Sequence, residues 1–160
     1  MKKYKVLILS GTVVIAAVIY FLIDYHQPRH IEANYSSTIY SKESKFEKQM
    51  VVRISGNLYK SLFEKDMLIG QMTVDNNLKY AIKLKRDGNK YFEILTKIDN
   101  ESLVINSIGS IMTSINLDKV WLQLDDINDK YNLIDGYVSG PAKNTEEANN
   151  VARSIIEGSE

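Results

Sequence analysis

Two histidines four residues apart, His26 and His30, are the first side chains in this chain that could do chemistry. On one helical face such a pair can hold a metal ion weakly through imidazole nitrogen. Pro28 stands between them and works against a regular helix, so they read as solvated residues of a linker. The densest acidic stretch is Asp125-Asp126-Ile127-Asn128-Asp129, followed by Asn132 and Asp135. A calcium loop needs oxygen ligands at alternating positions and a glycine at its sharp turn. Counted from Asp126, Asn128 fits, but Lys130 takes the next ligand position and Tyr131 stands where glycine is required. The stretch from Asp126 to Asn132 therefore reads as a polar loop.

Nucleophilic catalysis finds no better footing. Ser107, Ser110, Ser114 and Ser139 lack a Gly-x-Ser-x-Gly setting, and no histidine lies near them in sequence to act as base. The chain has no cysteine, which removes thiol catalysis, thiolate metal sites and disulfides together. Gly56, Gly70, Gly88 and Gly109 are spread singly and form no phosphate-cradling loop. A pair of carboxylates tuned for hydrolysis stays open, because 20 acidic residues in 160 make some of them neighbours. No catalytic, cofactor-binding or metal-ligating residue is assigned, and a non-enzymatic protein is expected. The aromatic residues Tyr59, Phe63, Tyr91, Trp121 and Tyr137 offer two readings. They form an exposed binding face, or a second small core beneath a C-terminal helix, and the second is preferred because a sheet covered on both faces would bury them.

The elements that would position these residues begin with a greasy segment. Val6 to Ile23 is an uncharged run of 18 residues behind the basic leader Met1-Lys2-Lys3-Tyr4-Lys5. At ~1.5 Å rise per residue it reaches roughly 27 Å, which matches a ~30 Å hydrocarbon core, so a transmembrane helix over 6–23 is expected. Lys2, Lys3 and Lys5 precede the run and Asp24 follows it. That asymmetry places the N-terminus in the cytoplasm and the remainder outside, as a single-pass, uncleaved signal-anchor at the cell membrane. Bulky Tyr20 to Tyr25 stands where a cleaved signal peptide would need small residues. The division expected is a cytoplasmic leader over 1–5, the span over 6–23, a juxtamembrane stalk over 24–44 and an extracytoplasmic domain over 45–160. Beyond the leader lysines, 17 basic side chains face 20 acidic ones, a net charge of −3. Such a domain carries no electrostatic footprint for nucleic acid.

From Phe46 onward the apolar residues alternate with period two, the mark of half-buried strands. Met50, Val52 and Ile54 share one face, as do Leu68, Gly70, Met72 and Val74. Lys79 to Ile98 reads as a hairpin turning at Arg86-Asp87-Gly88-Asn89, with Tyr80, Ile82 and Leu84 on one face of its first strand. Phe92, Ile94, Thr96 and Ile98 share a face of its second strand. Short strands follow at 103–105, 109–115, 120–124 and 133–139, while Ser36 to Ser41 could add another. The period then changes. Asn144 offers an N-cap with Glu147 three positions on, and Ala148, Val151, Ala152 and Ile155 make one apolar stripe. The fold class expected is α+β: an N-terminal transmembrane helix, then an antiparallel sheet with a C-terminal helix packed on it. A roll or partial barrel is equally consistent.

The stretch from Ile54 to Phe63, Leu68-Ile69-Gly70, Ile108-Gly109-Ser110-Ile111 and Gly140 to Asn144 with Glu146-Glu147-Ala148 resembles small membrane-anchored proteins of Gram-positive bacteria. The resemblance covers roughly the last 110 residues and implies location and fold, with no activity and no site residue. The function expected is a membrane-tethered module that binds a protein or envelope component. The alternatives are an accessory subunit of a larger membrane complex and a carboxylate-dependent envelope hydrolase.

Overall fold

The computed structural model describes residues 13–22, 25–98 and 104–158. Eight antiparallel strands join in sequence order and close into a barrel: β1 (Arg29–Ser41), β2 (Glu47–Tyr59), β3 (Met67–Val74), β4 (Leu78–Asp87), β5 (Lys90–Ile98), β6 (Ile105–Ser114), β7 (Val120–Leu124) and β8 (Gly136–Gly140). A short helix, α1 (Asp125–Tyr131), lies between β7 and β8, and a longer one, α2 (Thr145–Ile156), follows β8.

Two features of the sequence reading are corrected. The sheet is neither open nor partial, because the end of β1 pairs with β8, from Thr38 opposite Ser139 to Ser41 opposite Gly136. β1 takes in most of the stretch expected to be a stalk. The transmembrane helix expected over 6–23, with the single-pass and signal-anchor descriptions drawn from it, is not found among the described residues either. Among the described residues no helix is long and apolar enough to cross a membrane. Residues 13–22 are helical. Residues 1–12 and 23–24, which hold the basic leader and the rest of the uncharged run, lie outside the described residues.

The barrel follows from the period-two pattern and its turns. Asp75 and Asn76, both at positive φ, link β3 to β4, and Gly88 at φ 61° links β4 to β5. Paired positive-φ residues twist in the sense that suits two antiparallel strands, which keeps these connections tight. Inward side chains fill the interior, among them Val52, Ile54, Leu68, Met72, Leu84, Ile111 and Leu122. Gly56 and Gly70 face each other across β2 and β3, and a Cβ on either would strike the opposite backbone.

The stretch expected as a polar loop is α1. Its single buried residue, Ile127, enters the main core and covers one end of the barrel. Tyr131 packs on Phe46 with ring centroids 5.5 Å apart, while Lys130 and the Tyr131 hydroxyl both donate to Asp75 in the β3–β4 turn. The C-terminal helix is as expected. The Asn144 side chain accepts from Glu147 N at 2.9 Å, and Ala148, Ala152 and Ile155 are buried against the barrel wall. Glu47 at the start of β2 accepts from Thr145 N and Oγ1, which holds its carboxyl below the ordinary range and fastens the helix start to the barrel.

Candidate functional site

The barrel wall is thin in places, since β1 meets β8 only from Thr38 to Ser41, and it parts along one seam lined by a cleft. β4 and β5 pair only at Asp87–Lys90, Arg86–Tyr91 and Lys85–Phe92, beside their turn. By contrast, β4 pairs with β3 over its whole first eight residues, Leu78 to Lys85. The wedge is Glu93. It shares the inward face of Tyr91 and Leu95, both deeply buried, and its Oε2 accepts from the Lys83 backbone N–H. A side-chain carboxylate thus takes the hydrogen bond that a β5 carbonyl would otherwise provide. Burial raises the Glu93 carboxyl above its ordinary value, and the Lys83 N–H bond with the Lys83 and Lys85 charges only partly offsets this.

Along a strand, backbone groups of alternate residues point to the same side. The Lys83 N–H points toward β5, whereas the Arg86 N–H points the other way, to the Asp66 carbonyl at 2.9 Å. The N–H and C=O groups of Lys79 and Ala81 therefore also face the seam, as do those of Ile94, Thr96 and Ile98 on β5. Among the described residues these stretches of β4 and β5 have no strand partner on that side.

A cleft of about 510 Å³ opens where the strands part. Lys83, Lys85, Lys65 and Arg86 make it basic, Phe92 and Ile94 give it an apolar floor, and Asp87 and Glu93 are its acids. Asp87 is held by Lys65 at 3.4 Å, and Arg86 also reaches Asp66 at 3.3 Å. The two lips differ in chemistry. The outer face of β4 presents exposed Lys79, Ala81, Lys83 and Lys85, while that of β5 presents Ile94 and Ile98, which are 55% and 58% exposed.

The residues singled out from sequence are dispersed. His26 Nδ1 lies 2.8 Å from the Leu22 carbonyl oxygen, and His30 Nδ1 lies 3.3 Å from Asn57 Oδ1 on β2. Among the described residues no group of three or more His, Cys, Asp or Glu is arranged to hold a metal. The acids of α1 serve structure: Asp126 accepts from the Tyr80 hydroxyl at 2.7 Å, and Asn128 Oδ1 accepts from Gly136 N at 3.0 Å. Of the five aromatic residues, Trp121 and Tyr137 stack 5.8 Å apart beneath α2, as expected for a second core. Tyr91 is inside the barrel. Tyr59 and Phe63 lie at the β2–β3 loop, where Phe63 is 95% exposed.

β5 is inverted relative to the face read as apolar, because Phe92, Ile94, Thr96 and Ile98 look outward and Tyr91, Glu93 and Leu95 look in. The sequence held one signal for this seam: a lone glutamate in the middle of an apolar strand. Inward-pointing charges and edge lysines are devices that keep exposed strand edges from pairing at random. No protein-family model, curated protein or solved structure matches the chain.

Proposed function

We propose that the barrel is a non-enzymatic binding module, working on the outer side of the cell membrane, that holds a protein or envelope component along the β4–β5 seam. The open seam is the observation that carries this reading, because it is where a cleft, exposed apolar side chains and strand edges without a strand partner among the described residues coincide. Strand edges with alternate side-chain pockets are a recurrent means of recognition. The location rests on Lys2, Lys3 and Lys5 ahead of the uncharged stretch, as the charge asymmetry of exported proteins has it.

The test is a photo-cross-linker at position 94 in the full chain, expressed in its native envelope, with one at exposed Glu146 on α2 as control. A discrete adduct from position 94 and none from position 146 is expected. No adduct at the seam, or equal adducts at both positions, overturns the reading.

Glu93 favours one second reading. It is a partly buried carboxyl of raised pKa in a cleft that also holds Asp87, which is the environment of a general acid. Against it, Asp87 is engaged by Lys65 and Glu93 by the Lys83 N–H. If purified protein hydrolyses envelope glycans and Glu93→Gln abolishes that hydrolysis, the module is an enzyme.

A further inference from the structure

The geometry points to an extended acidic peptide segment as the occupant of the seam, added as a strand along the open edge of β4 with its outward carboxylates on the lysine lip and the methylenes of those same side chains against Ile94 and Ile98. This deepens the binding-module reading and rests on it. Three observations select the occupant.

The first is backbone. Lys79 and Ala81 carry N–H and C=O groups on the open side, in line with the Lys83 N–H that Glu93 already satisfies. Only another extended chain supplies acceptors and donors at that repeat. The second is charge. Lys79, Lys83 and Lys85 are three of the four outward residues from 79 to 85 on one exposed face, while Lys65 and Arg86 at the turn end are paired with Asp87 and Asp66. The acids nearby are committed, Asp87 to Lys65 and Glu93 to the Lys83 backbone. An acidic strand meets complementary charge there, whereas a second copy of β4 would set lysine against lysine, which is unfavourable across a strand pair. The third is the opposite lip, where Ile94 and Ile98 stand more than half exposed and give a peptide an apolar contact.

The experiment uses the full chain and four synthetic peptides: alternating Glu–Val, the same peptide with alternate backbone nitrogens methylated in either phase, and alternating Lys–Val. Binding is read by backbone amide shifts of β4 and β5 and by titration at two salt concentrations. The Glu–Val peptide is expected to bind, to shift the Lys79 and Ala81 amides, and to weaken as salt rises. The Lys–Val peptide and one methylated phase are expected not to bind. Lys79→Glu with Lys83→Glu should weaken binding by at least about tenfold, or ~1.4 kcal/mol. Ala81→Pro should abolish it without loss of fold, because its N–H faces the seam and not β3, and proline is tolerated at such an edge. Equal binding of both methylated peptides, or of the Lys–Val peptide, overturns strand addition by an acidic segment. No peptide binding, together with a cross-link from position 94, overturns this inference and leaves the binding module standing. A cross-link that ignores the seam removes both.

Discussion

Thr113 shows how much a single interior atom can decide. Its side chain is fully buried and its Oγ1 has no hydrogen-bond partner among the described residues. A buried hydroxyl without a partner costs about 1–3 kcal/mol relative to an apolar group of the same shape. Thr113→Val should therefore raise the unfolding free energy by about 1 kcal/mol, measured by denaturant titration. A lower midpoint would mean that the hydroxyl has a partner in solution. Two carboxyls have opposite pH signatures. Hydrogen bonds from Lys130 and then Tyr131 hold Asp75 below its usual value. Its stabilisation is therefore present above the unfolded value near 3.8 and is lost as pH falls through the folded one. Burial raises Glu93, so its sign is reversed: that contribution is complete below the unfolded value near 4.5 and is lost as pH rises through the folded one. Asp75→Asn should flatten the acid limb of a stability–pH profile, and Glu93→Gln the limb above it. An unchanged profile in both variants would show that neither group is tuned by the fold.

At the scale of elements, the hairpin from Lys79 to Ile98 and the helix after Asn144 were legible because their signals are local. Gly88 supplies the turn, and the Asn144 cap with an apolar stripe supplies the helix. α1 was not legible. It is only seven residues long, too short to show a stripe, and its one buried side chain matters because Ile127 enters a barrel end that no local pattern reveals. β1 was hidden for a related reason. Its late residues are buried on both faces, between the barrel interior and α2, so polar Ser37, Thr38 and Ser41 occupy covered positions. Thr38 settles its hydroxyl on the Ala142 carbonyl at 2.9 Å and accepts from Gln49 at 2.7 Å. The facing glycines of β2 and β3 yield a sharper test. The strand backbones approach so closely there that a Cβ on Gly70 would fall against the Ser55 carbonyl. Gly70→Val should cost roughly 4 kcal/mol or more, the range of severe steric defects, and a melting temperature near that of the parent chain would refute the close approach.

For the whole molecule, closure and the parting of β4 from β5 belong together. Strands that pair in chain order need only short turns to build most of the wall, and closure is then set by β1 meeting β8, a contact between distant parts of the sequence. No period in the sequence encodes that contact, which is why sheet and barrel could not be told apart beforehand. A barrel whose edges were all paired would have nothing left to offer a strand; this one leaves β4 and β5 parted by a glutamate beyond Lys85–Phe92. The parting has a consequence that amide hydrogen exchange can read. On β4, the Tyr80 and Ile82 N–H groups face β3, while those of Lys79 and Ala81 face the seam. Exchange from a bonded amide requires opening of structure, whereas an amide open to water exchanges almost freely. Lys79 and Ala81 should therefore exchange at least ~100-fold faster than Tyr80 and Ile82, a period-two protection pattern within one strand. Such a pattern cannot come from general fraying, which would accelerate all four amides together. Equal protection of the four would mean that β4 and β5 zip shut in solution, and a closed seam would leave no edge for a partner strand to join.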